Sequence, residues 1–101
     1  MRPPSNGPGT YHIDLSPHII GRIRALHRTA IAAGHGAEFR AAVGRLLVRL
    51  RRDPLNCGEP VYPLRALGLT VRLIVDRPIA LHYAAHPHRR VVWFSAIDVL
   101  S

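Results

Sequence analysis

The chain contains no lysine, a single cysteine and no long apolar run, and each shortage narrows what it can be. Cys57 alone cannot close an intramolecular disulfide, nor supply the two or more thiolates of a structural zinc centre. With neither a histidine nor a helix N-terminus flanking it to activate the thiol, it reads as a small, half-buried apolar residue. No stretch approaches the ~20 consecutive apolar residues that span a bilayer, so no membrane partner is expected. The opening "MRPPSNGPGT" lacks the apolar core of a secretory signal, which makes the cytoplasm the expected compartment. Acidic residues are scarce, six against fourteen arginines, giving a net charge of +8. Arginine's planar fork pairs with phosphates and carboxylates and stacks on bases. The charge balance therefore points to a polyanion or an acidic protein as partner, with a plainly solvated surface as the alternative.

At 101 residues the chain is expected to form one domain, residues 10–101, behind a flexible Pro/Gly leader over residues 1–9. "TYHIDLS" alternates, with Tyr11, Ile13 and Leu15 on one side, and predicts a short strand. Ser16-Pro17 is a helix start, serine capping and proline in the first turn. Ile19, Ile20, Ile23, Leu26, Ala30 and Ile31 follow at helical spacing. Gly34-His35-Gly36 ends that helix, and a second carries Phe39, Val43, Leu46, Leu47 and Leu50 up to Asp53-Pro54. From Glu59 the pattern becomes strand-like: "PVYPLRAL", confined by Pro60 and Pro63 to a sheet edge, then "TVRLIVD", "IALHYAA" and "RVVWFSAI". The expected fold class is α+β in the order β-α-α-β-β-β-β, an antiparallel-rich sheet with a helical hairpin packed on one face.

The segment "LRRDPLNCGEPVYPLRALGLTVRLIVDRPIALHYAAHPHRRVVWFSAI", behind a short strand and a helical hairpin, resembles the RelE/ParE family of bacterial toxins. The likeness covers roughly residues 10–98 and rests on "RLRRDP" leading to a glycine, then "PLRALG", then a strand–turn–strand ending in "HY". It implies the toxin of a type II toxin–antitoxin (plasmid-stabilisation) pair, neutralised by a cognate acidic antitoxin. The implied target is mRNA on the ribosome, cut by a metal-independent endoribonuclease, or DNA gyrase, inhibited by binding. A non-catalytic homologue that only binds its antitoxin is the third reading. The pattern departs from the family in two places. Ala80 stands where an arginine usually precedes the matching Tyr83, with Arg77 displaced into the turn. No tyrosine, arginine or histidine follows Trp93.

Candidate site residues follow from chemistry and resemblance together. RNA cleavage without a metal needs an activated 2′-hydroxyl, a stabilised phosphorane and a protonated leaving oxygen. Arg72, Arg77 and His82 are the catalytic candidates. Whether Arg72 faces His82 or Tyr83 depends on the length of the turn around Arg77-Pro78. Arg65, Arg89 and Arg90 are candidate nucleic-acid contacts; "HPHR" is a turn into "RVVWFSAI", and on a strand Arg89 and Arg90 point to opposite faces, so only one serves a given partner. Arg40, Arg45, Arg49, Arg51 and Arg52 form a basic helix surface of the same character. His82, His86 and His88 lack a nearby carboxylate to orient them as metal ligands, so no metal and no cofactor is expected.

Overall fold

The structure is a computed structural model that describes residues 10–100; the leader expected over residues 1–9 lies outside the described residues. Strand β1 (His12–Asp14) leads to helix α1 (Pro17–Ala32), whose start is fixed by the Ser16 hydroxyl accepting the Ile19 amide at 3.2 Å. Such a cap contributes about 1 kcal/mol. Gly34 turns the chain at φ +83°, a left-handed conformation that glycine adopts without a Cβ clash. Helix α2 (Gly36–Arg52) then runs back along α1 and ends where Pro54 forbids continuation. Ile31, expected in the apolar stripe, is exposed at the end of α1.

A one-turn helix, α3 (Pro54–Cys57), follows directly and has no counterpart in the periodicity of the sequence, four residues being too few to show one. Strand β2 (Glu59–Leu64) is shorter than the extended run expected, because Arg65–Leu67 winds into a single 3-10 turn closed by Gly68 at φ +65°. Strands β3 (Leu69–Asp76), β4 (Ile79–His86) and β5 (Val91–Val99) complete the sheet. Its order is β1-β5-β4-β3-β2, with β1 parallel to β5 and every other pair antiparallel. The fold is α+β, and β2 with its two prolines is indeed an edge strand.

Phe39, Ala42, Leu46 and Leu50 of α2 and Ile19 of α1 bury against Ile74, Leu81, Tyr83, Val92 and Ile97 of the sheet. Both helices thus cover the same face. The turn between β3 and β4 holds only Arg77 and Pro78, and it sets Asp76 opposite Ile79, Arg72 opposite Tyr83 and Leu73 opposite His82. This settles the register left open by the sequence. Residues directly opposite in an antiparallel pair share a face, so Arg72 lies with Tyr83 on the helix-covered face and His82 lies on the other.

Candidate functional site: the basic end of the sheet

Tyr83 holds the region together. It is 0% exposed, and its hydroxyl donates to the Pro54 carbonyl of α3 at 2.6 Å. Gly58 is required next to it: a Cβ there would lie 2.8 Å from the Leu73 carbonyl and 2.9 Å from the Tyr83 hydroxyl. Burial, followed by the neighbouring Cys57, pushes the Tyr83 hydroxyl above its ordinary pKa, against the opposing pull of Arg72. The phenol is therefore a neutral hydrogen-bond donor already committed to the backbone. The tyrosine that carries much of the family likeness is a structural anchor for α3.

Arg72 sits beside this anchor, half-buried, with its Nε enclosed and no acceptor within reach. None of the ion pairs among the described residues involves it. It lines a cavity of about 310 Å³ together with Leu55 of α3, Thr70, Ala85 and Pro87. A buried guanidinium donor without a carboxylate leaves unsatisfied hydrogen-bonding capacity of a kind that an anion relieves.

The same end of the sheet collects further arginines. Arg65 occupies the 3-10 turn between β2 and β3, and Arg89 and Arg90 occupy the turn between β4 and β5. The expectation that Arg90 opens the last strand is corrected here, and with it the placing of Arg89 and Arg90 on opposite faces of a strand. Residues 87–90 form a turn, with the Arg90 amide donating to the His86 carbonyl at 2.9 Å and the Arg89 amide donating to His86 Nδ1 at 3.1 Å. Arg90 has φ +53° and lays its guanidinium 5.6 Å from the centre of the Tyr11 ring. The C-terminus of α2 arrives alongside, since the Arg51 carbonyl accepts the Tyr11 amide at 2.8 Å. Arg51 is thereby brought alongside Tyr11.

Charge is arranged differently elsewhere. At the opposite end of the sheet, Asp76 is gripped by Arg45 through bonds of 2.8, 3.0 and 3.2 Å, and Asp98 by Arg22 at 2.6 Å. The hydrogen bonds from Arg45 hold the Asp76 carboxyl below its ordinary range despite partial burial. Two of the six carboxylates are thus spent on arginines far from Arg65, Arg89 and Arg90. Asp53, which lies nearer, accepts from Asn56 at 2.9 Å.

The three catalytic candidates do not converge. Arg77 is exposed in the β3–β4 turn, five residues along the strand from Arg72, or roughly 16 Å. His82 is on the opposite face of the sheet. His86 and His88 meet edge to face at 6.1 Å at the β4–β5 turn, and among the described residues no group of three His, Cys, Asp or Glu side chains is placed to hold a metal ion. A second cavity, about 240 Å³ between the helices and the sheet, is lined by Ile23, Val43, Leu47, Phe94 and their apolar neighbours, with Arg24 the one polar lining residue and no chemistry to offer. Among the described residues no helix is long and apolar enough to cross a membrane.

Comparison with protein-family models, curated proteins and solved structures gave no match to this chain. The site must therefore be read from its own geometry. Arg65, Arg72, Arg89 and Arg90 lie at one end of the sheet, the Arg72 guanidinium partly enclosed among them. Arg72, Arg77 and His82 form no aligned acid–base pair there.

Proposed function

We propose that this protein is a RelE/ParE-like toxin whose basic end grips a phosphate backbone, with mRNA on the ribosome as its target. The observation that carries the reading is the convergence of Arg65, Arg72, Arg89 and Arg90 at one end of the sheet, while Asp76 and Asp98 are paired at the other. Phosphate contacts from arginine give affinity and orientation without sequence preference. The order of elements, the sheet-edge β2 and the Arg72–Tyr83 hairpin agree with the family likeness of the sequence. An acidic antitoxin segment laid over the same arginines is the natural neutralising partner, since it competes for the charge that the target needs.

A specific observation favours a second reading within the same family. With Arg72 and His82 on opposite faces, Arg77 at the far end of β3 and the Tyr83 hydroxyl bonded to Pro54, the catalytic candidates do not flank one phosphate. Inhibition by binding, as ParE-like proteins exert on gyrase, needs no such pair. Nor does a homologue that only engages its antitoxin.

Controlled expression of the full chain in bacteria separates these. Growth arrest with cleaved mRNA supports the ribonuclease. Arrest with intact mRNA, DNA damage and filamentous cells supports gyrase inhibition. No arrest from soluble, folded protein removes both toxic activities. In either toxic case, replacing Arg65, Arg89 and Arg90 together by alanine is expected to relieve the arrest.

A further inference from the structure

The cavity beside Arg72 has the wrong lining for a phosphate alone. A phosphate group is held by donors that converge on it from several sides. Here Leu55, Leu69, Ala85 and Pro87 supply apolar walls, and Thr70 and Arg72 are the polar side chains among them. The cavity exists because of β4. Leu81, Tyr83 and Ala85 follow one another on its helix-covered face, and where the first two fill the core, Ala85 brings only a methyl group. Thr70 and Arg72 lie on the same face of neighbouring β3, and α3 contributes Leu55, which stays 38% exposed.

This cavity lies between the two arginine-bearing turns. Gly68, on one side, closes the 3-10 turn that carries Arg65. Pro87, on another, belongs to the turn that carries Arg89 and Arg90. A single strand whose phosphates rest on the arginines of both turns therefore passes across the cavity mouth. Each nucleotide of such a strand brings a flat base with apolar faces and a polar edge. Proteins bind an unstacked base by laying it against an aromatic ring or an arginine plane and hydrogen-bonding its edge. Arg72 suits that part, since its enclosed Nε holds the guanidinium in place and no ion pair among the described residues engages it. The Thr70 hydroxyl both donates and accepts, so it can serve a base edge. At about 310 Å³ the cavity stands at the lower end of the ~300–1,000 Å³ range of small-ligand pockets, room for one base and not for a stacked run.

We propose that this cavity is a subsite for one unstacked nucleobase of single-stranded RNA, its flat face against the Arg72 guanidinium and its edge at Thr70. The inference rests on the reading of the basic end as a phosphate grip. To that grip it adds a contact that a bare ribose–phosphate chain cannot make.

Fluorescence anisotropy of the full chain with a labelled oligouridylate, and with an abasic strand of the same length and charge, tests the proposal. The phosphate grip predicts one salt slope for both strands, because both carry the same phosphates. The base subsite predicts in addition that the oligouridylate binds at least roughly fivefold tighter at every salt concentration, the smallest effect of one base stacked on a protein platform. Ala85→Leu, which fills the floor, should abolish that preference while leaving the abasic strand and the slope as they were. Thr70→Leu, at an exposed position, repeats the test should Ala85→Leu lower the far-ultraviolet circular dichroism. Leu67→Ser, 67% exposed on the 3-10 turn and outside the cavity, should change nothing. Equal affinity for the two strands with the slope intact overturns the base subsite and leaves the phosphate grip standing. Absence of binding by both strands removes the grip, and the subsite with it. A preference for oligouridylate that survives Ala85→Leu and Thr70→Leu also overturns the proposal. So does an Ala85→Leu protein that loses affinity for an acidic peptide and for neither strand.

Discussion

Replacing Tyr83 by phenylalanine distinguishes an anchor from a catalyst. The substitution keeps the ring that packs in the core and removes one oxygen, leaving the buried Pro54 carbonyl without its 2.6 Å donor. Losing a buried hydrogen bond of this kind costs ~1–3 kcal/mol, and the expected loss lies near the middle, about 2 kcal/mol. For a domain of this size, with a urea dependence of roughly 1–3 kcal/mol per molar, the unfolding midpoint should fall by about 1 M. The melting temperature should fall by roughly 10 °C, since each kcal/mol moves a small domain by about 4–8 °C. Urea titration followed by Trp93 fluorescence and far-ultraviolet circular dichroism gives both numbers. Release of α3 should also raise the reactivity of Cys57 toward a thiol reagent under native conditions, because Cys57 is its last residue. A Tyr83→Phe protein as stable as the parent, yet stripped of growth arrest, would refute the reasoning and return the hydroxyl to the chemistry.

Gly58→Ala should be destabilising by about 1–3 kcal/mol in the same urea assay, because its Cβ meets the Leu73 carbonyl as well as Tyr83 and backbone cannot swing aside. Ser16→Ala should remove the α1 cap and cost about 1 kcal/mol, with no effect on any activity of the basic end. The Asp76 carboxyl has a folded pKa below its unfolded one, so its contribution is complete above the ordinary aspartate range and is lost as pH falls through the folded value. Urea midpoints measured from neutral to strongly acidic pH should therefore drop on the acid side, and Asp76→Asn should flatten that drop while lowering stability at neutral pH.

Much of the fold was legible because it rested on local chemistry. Ser16-Pro17, Gly34 and Asp53-Pro54 bound the helices whatever packs against them, and the prolines of β2 kept it at an edge. What the sequence could not show was non-local. The α1–α2 stripe said which residues are buried, but the face on which Arg72 and His82 lie turned on whether two or three residues bridge β3 and β4, a one-residue difference that inverts every side chain. Helix α3 went unread because "PLNC" has no period, and with it the role of Tyr83, whose partner lies 29 residues away. The basic cluster was only half visible. Its arginines come from β3, the 3-10 turn and the β4–β5 turn, and spacing along the chain says nothing of their meeting. Misreading Arg90 as a strand residue came from starting the last strand at "RVVWFSAI", whereas the left-handed Arg90 still belongs to the turn.

The salt dependence of single-stranded RNA binding tests the central claim most directly, because it counts the phosphates that the basic end neutralises. Fluorescence anisotropy over a range of salt concentrations should give a slope of log K against log salt near −3, about four phosphates at roughly −0.7 each. Replacing Arg65, Arg89 and Arg90 by alanine should bring the slope to about −0.7, leaving Arg72 alone, while replacing Arg22, Arg24 and Arg28 of α1 should leave it near −3. An unchanged slope in the first variant, or an equal loss in both, would contradict a phosphate-binding end built from the turns of the sheet.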